Sequence, residues 1–350
     1  MVELNLLDQN NTMKRTWDMR NEDNFMKKFK YYKSNKPKPS LEAVISFDNA
    51  NFSNEVKSIT QAVKEDLRAK SLGLEDISKW EIFSLSNNPG FIIIKNPFTN
   101  LGQRYWMRKC LEEYPRKPNK RNIDIDKPVE DWWAECFKDG VCDRKLQKKL
   151  RWTTLGYHHN WDTKVYSEDN KTSFPLELAE LCDVVARTLG YTTFKAEAAI
   201  VNYYHMDSTL SAHTDHSEVN LEAPLFSFSF GQSAIFLLGG HDKSVEPSAF
   251  LLSSGDIAVM SKETRLCYHA VPKILPSTKQ PWNDKDMTCI QNSGVEFKYV
   301  VEDDLIKAMS KNLNKEEWRK FNNYVEESRI NINVRQVLNE NQNSLSDQSI

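Results

Sequence analysis

Residues 224–238, PLFSFSFGQSAIFLL, alternate between apolar and polar or run apolar, and Gly239-Gly240 after them indicates a turn. The same character returns at 196–206 (AEAAIVNYYHM), at 248–261 (SAFLLSSGDIAVMS), and again at 266–273 and 329–338. Short strands rich in Phe, Ile, Val and Tyr, separated by such turns, are typical of an antiparallel barrel or jelly roll. The C-terminal half is therefore predicted to be a β-roll.

The segments before this β-roll show helical spacing instead. Apolar side chains recur at helical intervals over 54–70 and over 175–190, while 91–94 reads as a short buried strand. The predicted fold is α+β, with a double-stranded β-helix (jelly-roll) core. Its predicted parts are a basic, flexible extension at 1–40, a helical N-terminal region at 41–190, the jelly roll at 191–340 and a tail at 341–350.

Composition excludes several classes of protein. The chain has 350 residues, 39% hydrophobic and 27% charged, with a formal net charge of −2. With 11 glycines and 13 prolines it is not collagen-like. No stretch approaches the roughly eighteen apolar residues of a membrane span. We expect no secretory signal, and six cysteines without CxxC spacing favour an intracellular protein with reduced thiols.

Basic residues are concentrated in runs despite the near-neutral balance. The runs lie within 13–40, 104–121 and 138–151, and tyrosines and tryptophans are interleaved with them. Lysine and arginine bind phosphates, and exposed aromatic rings stack on bases. Taken alone, however, these runs are more simply explained as solvated faces above buried aromatics.

Two histidines and an aspartate form a candidate metal site. His213 and Asp215 are two residues apart, so on a strand both side chains reach the same face. His269 lies in a later strand segment. Two histidines and one carboxylate make the facial triad of non-haem Fe(II) oxygenases. The same ligands also suit catalytic zinc, so the ligands alone leave the metal open.

The last strand segment, RININVR at 329–335, has one polar and one apolar face. The polar face carries Arg329, Asn331, Asn333 and Arg335. Two arginines inside a barrel need anions, which a dicarboxylate would supply through bidentate pairs. The alternative is an exposed edge strand with ordinary polar side chains.

Four motifs, in order, resemble the AlkB family of Fe(II)/2-oxoglutarate dioxygenases, and most closely its AlkB homologue one branch. They are Asn-Tyr-Tyr at 202–204, His-Thr-Asp at 213–215, Tyr-His-Ala-Val-Pro at 268–272 and the segment 329–335. The resemblance covers roughly residues 85–340. It implies Fe(II) and 2-oxoglutarate as cofactors and oxidative demethylation, or methyl hydroxylation, of bases in tRNA or DNA.

The resemblance also implies a role for each matching position. His213, Asp215 and His269 would bind iron and form the catalytic centre. Arg329 would pair with the distal carboxylate of 2-oxoglutarate. The full set implied to bind this cosubstrate is Asn202, Tyr204, Arg329, Asn331 and Arg335. Family members usually carry threonine in place of Asn333, so a contact from that residue stays open.

Residues 151–157, RWTTLGY, resemble part of the family's nucleotide-recognition lid. Trp152 is implied to stack on the substrate base, and Tyr157 to contact a phosphate. Core packing is the alternative for Trp152. A base inside a duplex cannot reach the metal, so the substrate would be single-stranded, looped or flipped. Ser217, followed by Glu218, stands where AlkB has an acid that reads the base, so base preference does not transfer.

Other functions stay open from the sequence. The same iron centre could act as a hydroxylase or demethylase on a protein such as a histone, and a jelly roll could bind without catalysis. The motifs do not choose among N1-methyladenine, N6-methyladenine and 3-methyl- or 5-methylcytosine, nor do they weigh cleavage at abasic sites. We expect a monomer in the nucleus or mitochondrion, or in the cytoplasm.

Overall fold

The computed structural model describes residues 23–48, 55–59, 65–125, 129–138, 142–284, 287 and 290–347. Its helices are α1 (Asn24–Lys33), α2 (Arg68–Ser71), α3 (Asn100–Arg108, continued by a π-helical turn at Lys109–Glu113), α4 (Trp132–Glu135), α5 (Arg144–Lys149), α6 (Leu176–Thr188), α7 (Glu302–Ser310) and α8 (Lys315–Val325). Its strands are β1 (Val56–Ser58), β2 (Glu81–Leu85), β3 (Phe91–Lys95), β4 (Lys120–Arg121), β5 (Trp152–Gly156), β6 (Ala198–His205), β7 (Leu210–His213), β8 (Leu225–Gly231), β9 (Ser233–Leu238), β10 (Ser248–Leu252), β11 (Ile257–Met260), β12 (His269–Leu275) and β13 (Ser328–Arg335). None of the described helices is both long and apolar enough to cross a membrane.

The strands form two sheets in a jelly roll. The large sheet has the order β1-β2-β3-β11-β8-β13-β6-β5-β4, and the small sheet has the order β10-β9-β12-β7. The pairs around the centre of the large sheet, β13 with β6 and with β8, are antiparallel, as is β12 with its neighbours β7 and β9. The predicted α+β fold with a jelly-roll core is confirmed.

Alternation along β8 explains how the quoted segment builds this roll. Phe226, Phe228 and Phe230 are fully buried in the core between the large sheet and the helices. Ser227 and Ser229 point to the opposite face, between the two sheets. Gly231 then turns the chain into β9 with a φ of 78°, where a Cβ would lie 2.4 Å from the carbonyl oxygen of Ser328. A side chain at this turn would therefore strain the roll.

The prediction of a flexible extension over 1–40 is wrong for its second half. Residues 24–33 form helix α1, whose Phe25, Phe29 and Tyr32 are at most 5% exposed. They pack on the outer face of the small sheet against Ala212 and Ala270, the neighbours of both candidate histidine ligands. The basic composition hid this apolar stripe. Residues 1–22 lie outside the described part of the chain.

The region 41–190 is also less helical than predicted. Residues 56–58 are strand β1, and of the predicted helix over 54–70 only the short α2 forms, with 60–64 outside the described residues. Helix α6 confirms the prediction over 175–190, and β3 confirms the strand at 91–94. Strands β1–β5 extend the large sheet at both edges, so this region is continuous with the roll.

Candidate active site

Three metal-ligating side chains converge between the two sheets. His213 ends β7 and pairs with His269, which begins β12, while Asp215 follows two residues after His213. Nε2 of His213 lies 4.0 Å from Oδ1 of Asp215, and Nε2 of His269 lies 3.6 Å from its Oδ2. One ligand atom from each residue lies within 4.8 Å of the others, so the three can hold one metal ion.

Main-chain carbonyls orient both histidines. Nδ1 of His213 lies 2.9 Å from the carbonyl oxygen of Ser211, and Nδ1 of His269 lies 3.1 Å from that of Cys267. Nδ1 therefore donates the hydrogen bond, and Nε2 is left with a free lone pair at the centre. Burial, together with the adjacent His213, lowers the pKa of His269 to about 4. This favours the neutral imidazole that metal binding requires.

A buried ion-pair network holds the carboxylate of Asp215. Nη2 of Arg335 lies 2.8 Å from its Oδ2. Burial would raise the pKa of Asp215, but Arg335 and the two histidines outweigh burial and hold it well below its usual range. Arg335 also pairs with Glu218 at 3.1 Å, and Glu218 pairs with Arg265 at 2.9 Å. Asp215 is thus kept ionised and in place.

Arg329, at the other end of β13, is buried without an acid. It is 2% exposed, and no carboxylate of the described residues pairs with it. Its Nη2 donates to the Ser229 hydroxyl at 2.8 Å and its Nη1 to the Gln232 carbonyl at 3.5 Å, while its Nε has no partner. Burial lowers the pKa of Arg329 to about 10, so the side chain stays charged at neutral pH. A buried cation in this state favours binding of an anionic ligand.

A cavity connects the metal site to Arg329. Its lining includes Tyr204, Leu210, Ser227, Phe236, His269, Val271, Arg329, Asn331 and Asn333. Tyr204 is the strand neighbour of Arg329, and Asn202 is the neighbour of Asn331 on the same face. The Asn331 amide donates to the Ser227 hydroxyl at 2.8 Å. A metal site at one end and an unpaired guanidinium at the other fit a dicarboxylate that chelates the metal.

Comparisons with known proteins agree with this geometry. A family model described as the 2OG-Fe(II) oxygenase superfamily matches residues 90–335. The chain belongs to this superfamily. Its family uses Fe(II) and 2-oxoglutarate, so both predicted cofactors are confirmed.

Named relatives lie in the predicted branch of the oxygenase family. The human nucleic acid dioxygenase ALKBH1 is 39% identical over 342 residues, covering 92% of this chain and 86% of that protein. The tRNA demethylase abh1 of Schizosaccharomyces pombe is 36% identical over 232 residues, covering 60% and 77% respectively. The structure of OsALKBH1 aligns with a TM-score of 0.43 and 18% identity, over 71% of this chain and 97% of that one. The predicted AlkB-family resemblance is confirmed by the sequence relatives.

Trp152 lies on the cavity side of the oxygenase's large sheet. It begins β5 directly opposite Asn202, so the two side chains share one face. Trp152 is half-buried, and its ring centroid lies 5.0 Å from that of Trp161. The side chain is therefore available at the edge of the cavity, where the family resemblance places a residue that stacks on the base.

Tyr157 does not lie at the edge of the cavity beside Trp152. Its predicted phosphate contact is wrong. The residue is 1% exposed and packs against Tyr166 and Ala198. Its hydroxyl donates to the carboxylate of Glu168 and accepts from Nζ of Lys171 at 2.9 Å. Tyr157 follows Gly156, at which β5 ends, and turns into the core, leaving no accessible group for a phosphate.

The basic run at 104–121 is largely structural in this oxygenase. Arg104 is buried and donates to the carbonyl oxygens of Trp282 and Asn312. Arg121, also buried, pairs with Asp124 at 2.6 Å. The other cations with acidic partners in this run are Arg108, Lys109, Arg116 and Lys117. Burial and ion pairs account for most of this run, so it offers few free cations to a phosphate.

The run at 138–151 is different. Helix α5 and the residue before β5 expose Lys145, Lys148, Lys149 and Arg151. None of these four has an acidic partner within the part of the chain that the structure describes. They lead directly to Trp152 and leave a positive surface beside the cavity.

Three residues near the site have no signal in the sequence. Glu218 and Arg265 anchor Arg335 through contacts between distant segments. His159 contacts Trp161 with ring centroids 4.8 Å apart, and burial, together with the nearby Arg335, lowers its pKa. Only the tertiary arrangement brings these side chains to the metal site.

Proposed function

We propose that this oxygenase oxidatively demethylates bases, or hydroxylates their methyl groups, in tRNA or DNA. The observation that carries the proposal is the continuity of three features: the metal–dicarboxylate cavity, the half-buried Trp152 on the same face, and the unpaired cations of α5 beside it. Stacking and phosphate binding are the two interactions that hold an unpaired nucleotide. The names of the human and fission-yeast relatives support the same substrate class.

We propose the following roles for the residues of the cavity. His213, Asp215 and His269 would hold Fe(II), since their ligand atoms lie within 4.8 Å of one another. Arg329 and Tyr204 bind the distal carboxylate of 2-oxoglutarate. When bound, the iron and 2-oxoglutarate supply the oxidation of a methyl group by dioxygen. A hydroxymethyl group on nitrogen then leaves as formaldehyde, whereas one on carbon remains.

The remaining side chains position these groups and exclude water. Arg335, which Glu218 holds in place, keeps Asp215 ionised, so this carboxylate needs no deprotonation before it binds iron. Phe236 and Val271 line the cavity with apolar surface beside His269. Trp152 contacts the base that enters from the side of α5. The protein thus supplies positioning and a dry cavity.

The test is succinate formation by Fe(II)-loaded protein with 2-oxoglutarate, dioxygen and a panel of methylated oligonucleotides and tRNA. Turnover is expected to rise with a methylated nucleic acid and to be absent in Asp215→Ala. Trp152→Ala is expected to raise the KM for nucleic acid and leave that for 2-oxoglutarate unchanged. Turnover stimulated only by histone or other peptides would overturn the nucleic-acid assignment. No turnover with iron bound would indicate a binding protein.

We also propose that the protein acts as a monomer and in the nucleus or mitochondrion. Light scattering on the purified chain measures the first, and imaging of the tagged chain in cells measures the second. A stable dimer would contradict the first prediction. A signal confined to the cytoplasm would select the cytoplasmic alternative over the nucleus and mitochondrion, and a signal outside the cell would contradict all three compartments.

A further inference from the structure

The loop after β5 carries an exposed tryptophan beside the candidate site. Trp161 is 41% exposed, although an indole gains free energy when it is buried. Its ring touches Trp152, with centroids 5.0 Å apart and planes 44° apart. The two rings are therefore in contact but not parallel, and each presents a different face to a ligand.

Trp161 is also the outer member of an aromatic row that leads to the metal site. His159 lies 4.8 Å from its ring, and Tyr166 lies 5.6 Å from His159. The Tyr166 hydroxyl donates to Glu218 at 3.3 Å, and Glu218 pairs with Arg335. The exposed ring is thus continuous with the network that holds Asp215.

A closed turn presents this ring in a defined position. The Asn160 side-chain oxygen accepts from the amides of Asp162 and Thr163 at 2.9 and 3.0 Å. The Lys164 amide donates to the Asn160 carbonyl at 2.8 Å, and the Asn160 amide donates to the Val165 carbonyl at 3.2 Å. The turn is ordered by its own hydrogen bonds, so a ligand need not order it on binding.

A cation accompanies the exposed ring. Nζ of Lys164 lies 5.6 Å from the centroid of Trp161, and Lys164 is itself exposed. No acidic partner of Lys164 lies among the described residues. An exposed aromatic ring with a free cation beside it is the combination that binds successive nucleotides of an unpaired strand.

We propose that Trp161 is a second stacking platform, which receives the base next to the one held at Trp152, while Lys164 binds the phosphate between them. This inference rests on the proposed function and deepens it. The substrate is then an unpaired strand of at least two nucleotides, because a lone nucleoside reaches only Trp152. Trp161 acts in binding and takes no part in the oxidation.

The experiment uses oligonucleotides that carry 2-aminopurine on one or the other side of the methylated base, since stacking quenches its fluorescence. Metal-free full-length protein is expected to quench the probe at one flank. Trp161→Ala is expected to abolish this quenching and to raise the KM for the oligonucleotide roughly 5- to 150-fold, the range for losing one stacked base. Trp161→Phe is expected to retain most of the quenching and to raise this KM only slightly, since a smaller ring still stacks.

Two controls separate stacking from general damage. With a methylated mononucleoside as substrate, Trp161→Ala is expected to keep the wild-type KM. Tyr31→Ala removes an aromatic side chain that is 47% exposed, from helix α1 behind the small sheet, and is expected to leave quenching and KM unchanged.

Two results would overturn the inference alone. One is that Trp161→Ala quenches 2-aminopurine as strongly as the wild-type protein and has the same KM for the oligonucleotide. The other is an equal rise of KM for mononucleoside and oligonucleotide, because Trp161 would then only support Trp152. Failure of the wild-type protein to bind any methylated oligonucleotide overturns the proposed function as well, and the wild-type measurement identifies that case.

Discussion

The two arginines of β13 share one face of one strand, yet their surroundings are opposite. Arg335 lies 2.8 Å from Asp215 and 3.1 Å from Glu218. Burial would lower the pKa of Arg335, but these acids outweigh it and raise the pKa. Among the described residues Arg329 has only neutral partners, and burial lowers its pKa to about 10.

The difference shows how one strand serves two purposes. Where the protein supplies the anion, the arginine stabilises the fold and holds a metal-ligating carboxylate. Where the protein supplies none, the buried charge is a free-energy penalty that an anionic ligand relieves. Arg329 thus faces the cavity as a binding group for a ligand, whereas Arg335, for which the family resemblance implies a contact with 2-oxoglutarate, is paired with Asp215 and Glu218.

Replacing Arg335 tests its structural role and has the largest expected effect. Arg335→Gln leaves the largely buried carboxylate of Asp215 without its arginine and Glu218 with Arg265 alone, so we expect the free energy of unfolding to fall by about 3 kcal/mol or more. Denaturant unfolding of the metal-free protein measures it. Arg335→Lys, which keeps the charge, is expected to recover part of the loss. Unchanged stability in Arg335→Gln would remove the distinction between the two arginines.

Replacing Arg329 tests its role in binding 2-oxoglutarate. Arg329→Gln is expected to raise the KM for 2-oxoglutarate roughly 30- to 150-fold, because charge-assisted hydrogen bonds worth about 2–3 kcal/mol are lost. Unfolding without 2-oxoglutarate is expected to show equal or greater stability, since a buried unpaired charge is removed. Succinate assays and denaturant titrations measure the two quantities. A loss of stability as large as in Arg335→Gln would contradict the comparison.

A fall in pH tests the ion pair between Asp215 and Arg335. The pKa of Asp215 is lower in the folded than in the unfolded protein, whose carboxyl titrates near its usual value of 3.8. The ion pair therefore contributes stability above about pH 4 and loses it progressively as the pH falls further. We expect the stability difference between wild type and Asp215→Asn to shrink below pH 4 in metal-free protein. A difference independent of pH would argue against an ionised Asp215.

A pair of adjacent tyrosines gives the smallest expected effect. Tyr204 lines the cavity beside Arg329, so Tyr204→Phe is expected to raise the KM for 2-oxoglutarate roughly 3- to 10-fold, as for one neutral hydrogen bond. Tyr203 points to the other face and donates to the Cys110 carbonyl at 2.6 Å. Tyr203→Phe is therefore expected to lower stability by about 1 kcal/mol and leave this KM unchanged. A raised KM for 2-oxoglutarate in Tyr203→Phe, with an unchanged KM in Tyr204→Phe, would contradict this assignment.

Much of the site could be predicted because its signals are local. The two-residue spacing of His213 and Asp215, and the alternation of 329–335, depend only on strand geometry. The helix α1 was missed because its lysines dominate the composition of 13–40, although Phe25, Phe29 and Tyr32 follow a helical stripe. Tyr157 was misplaced because a single residue after the end of a strand can turn either way.

The jelly roll, the metal-ligating triad and the two arginines could be predicted, because periodicity and motif spacing are properties of neighbouring residues. The pairing of charges depends instead on the tertiary structure. It joins Glu218 to Arg335, buries Arg104 against the carbonyl oxygens of Trp282 and Asn312, and leaves Lys145, Lys148, Lys149, Arg151 and Lys164 without an acidic partner among the described residues. Such pairings link segments that are distant in the chain, and packing brings them together irrespective of their local pattern.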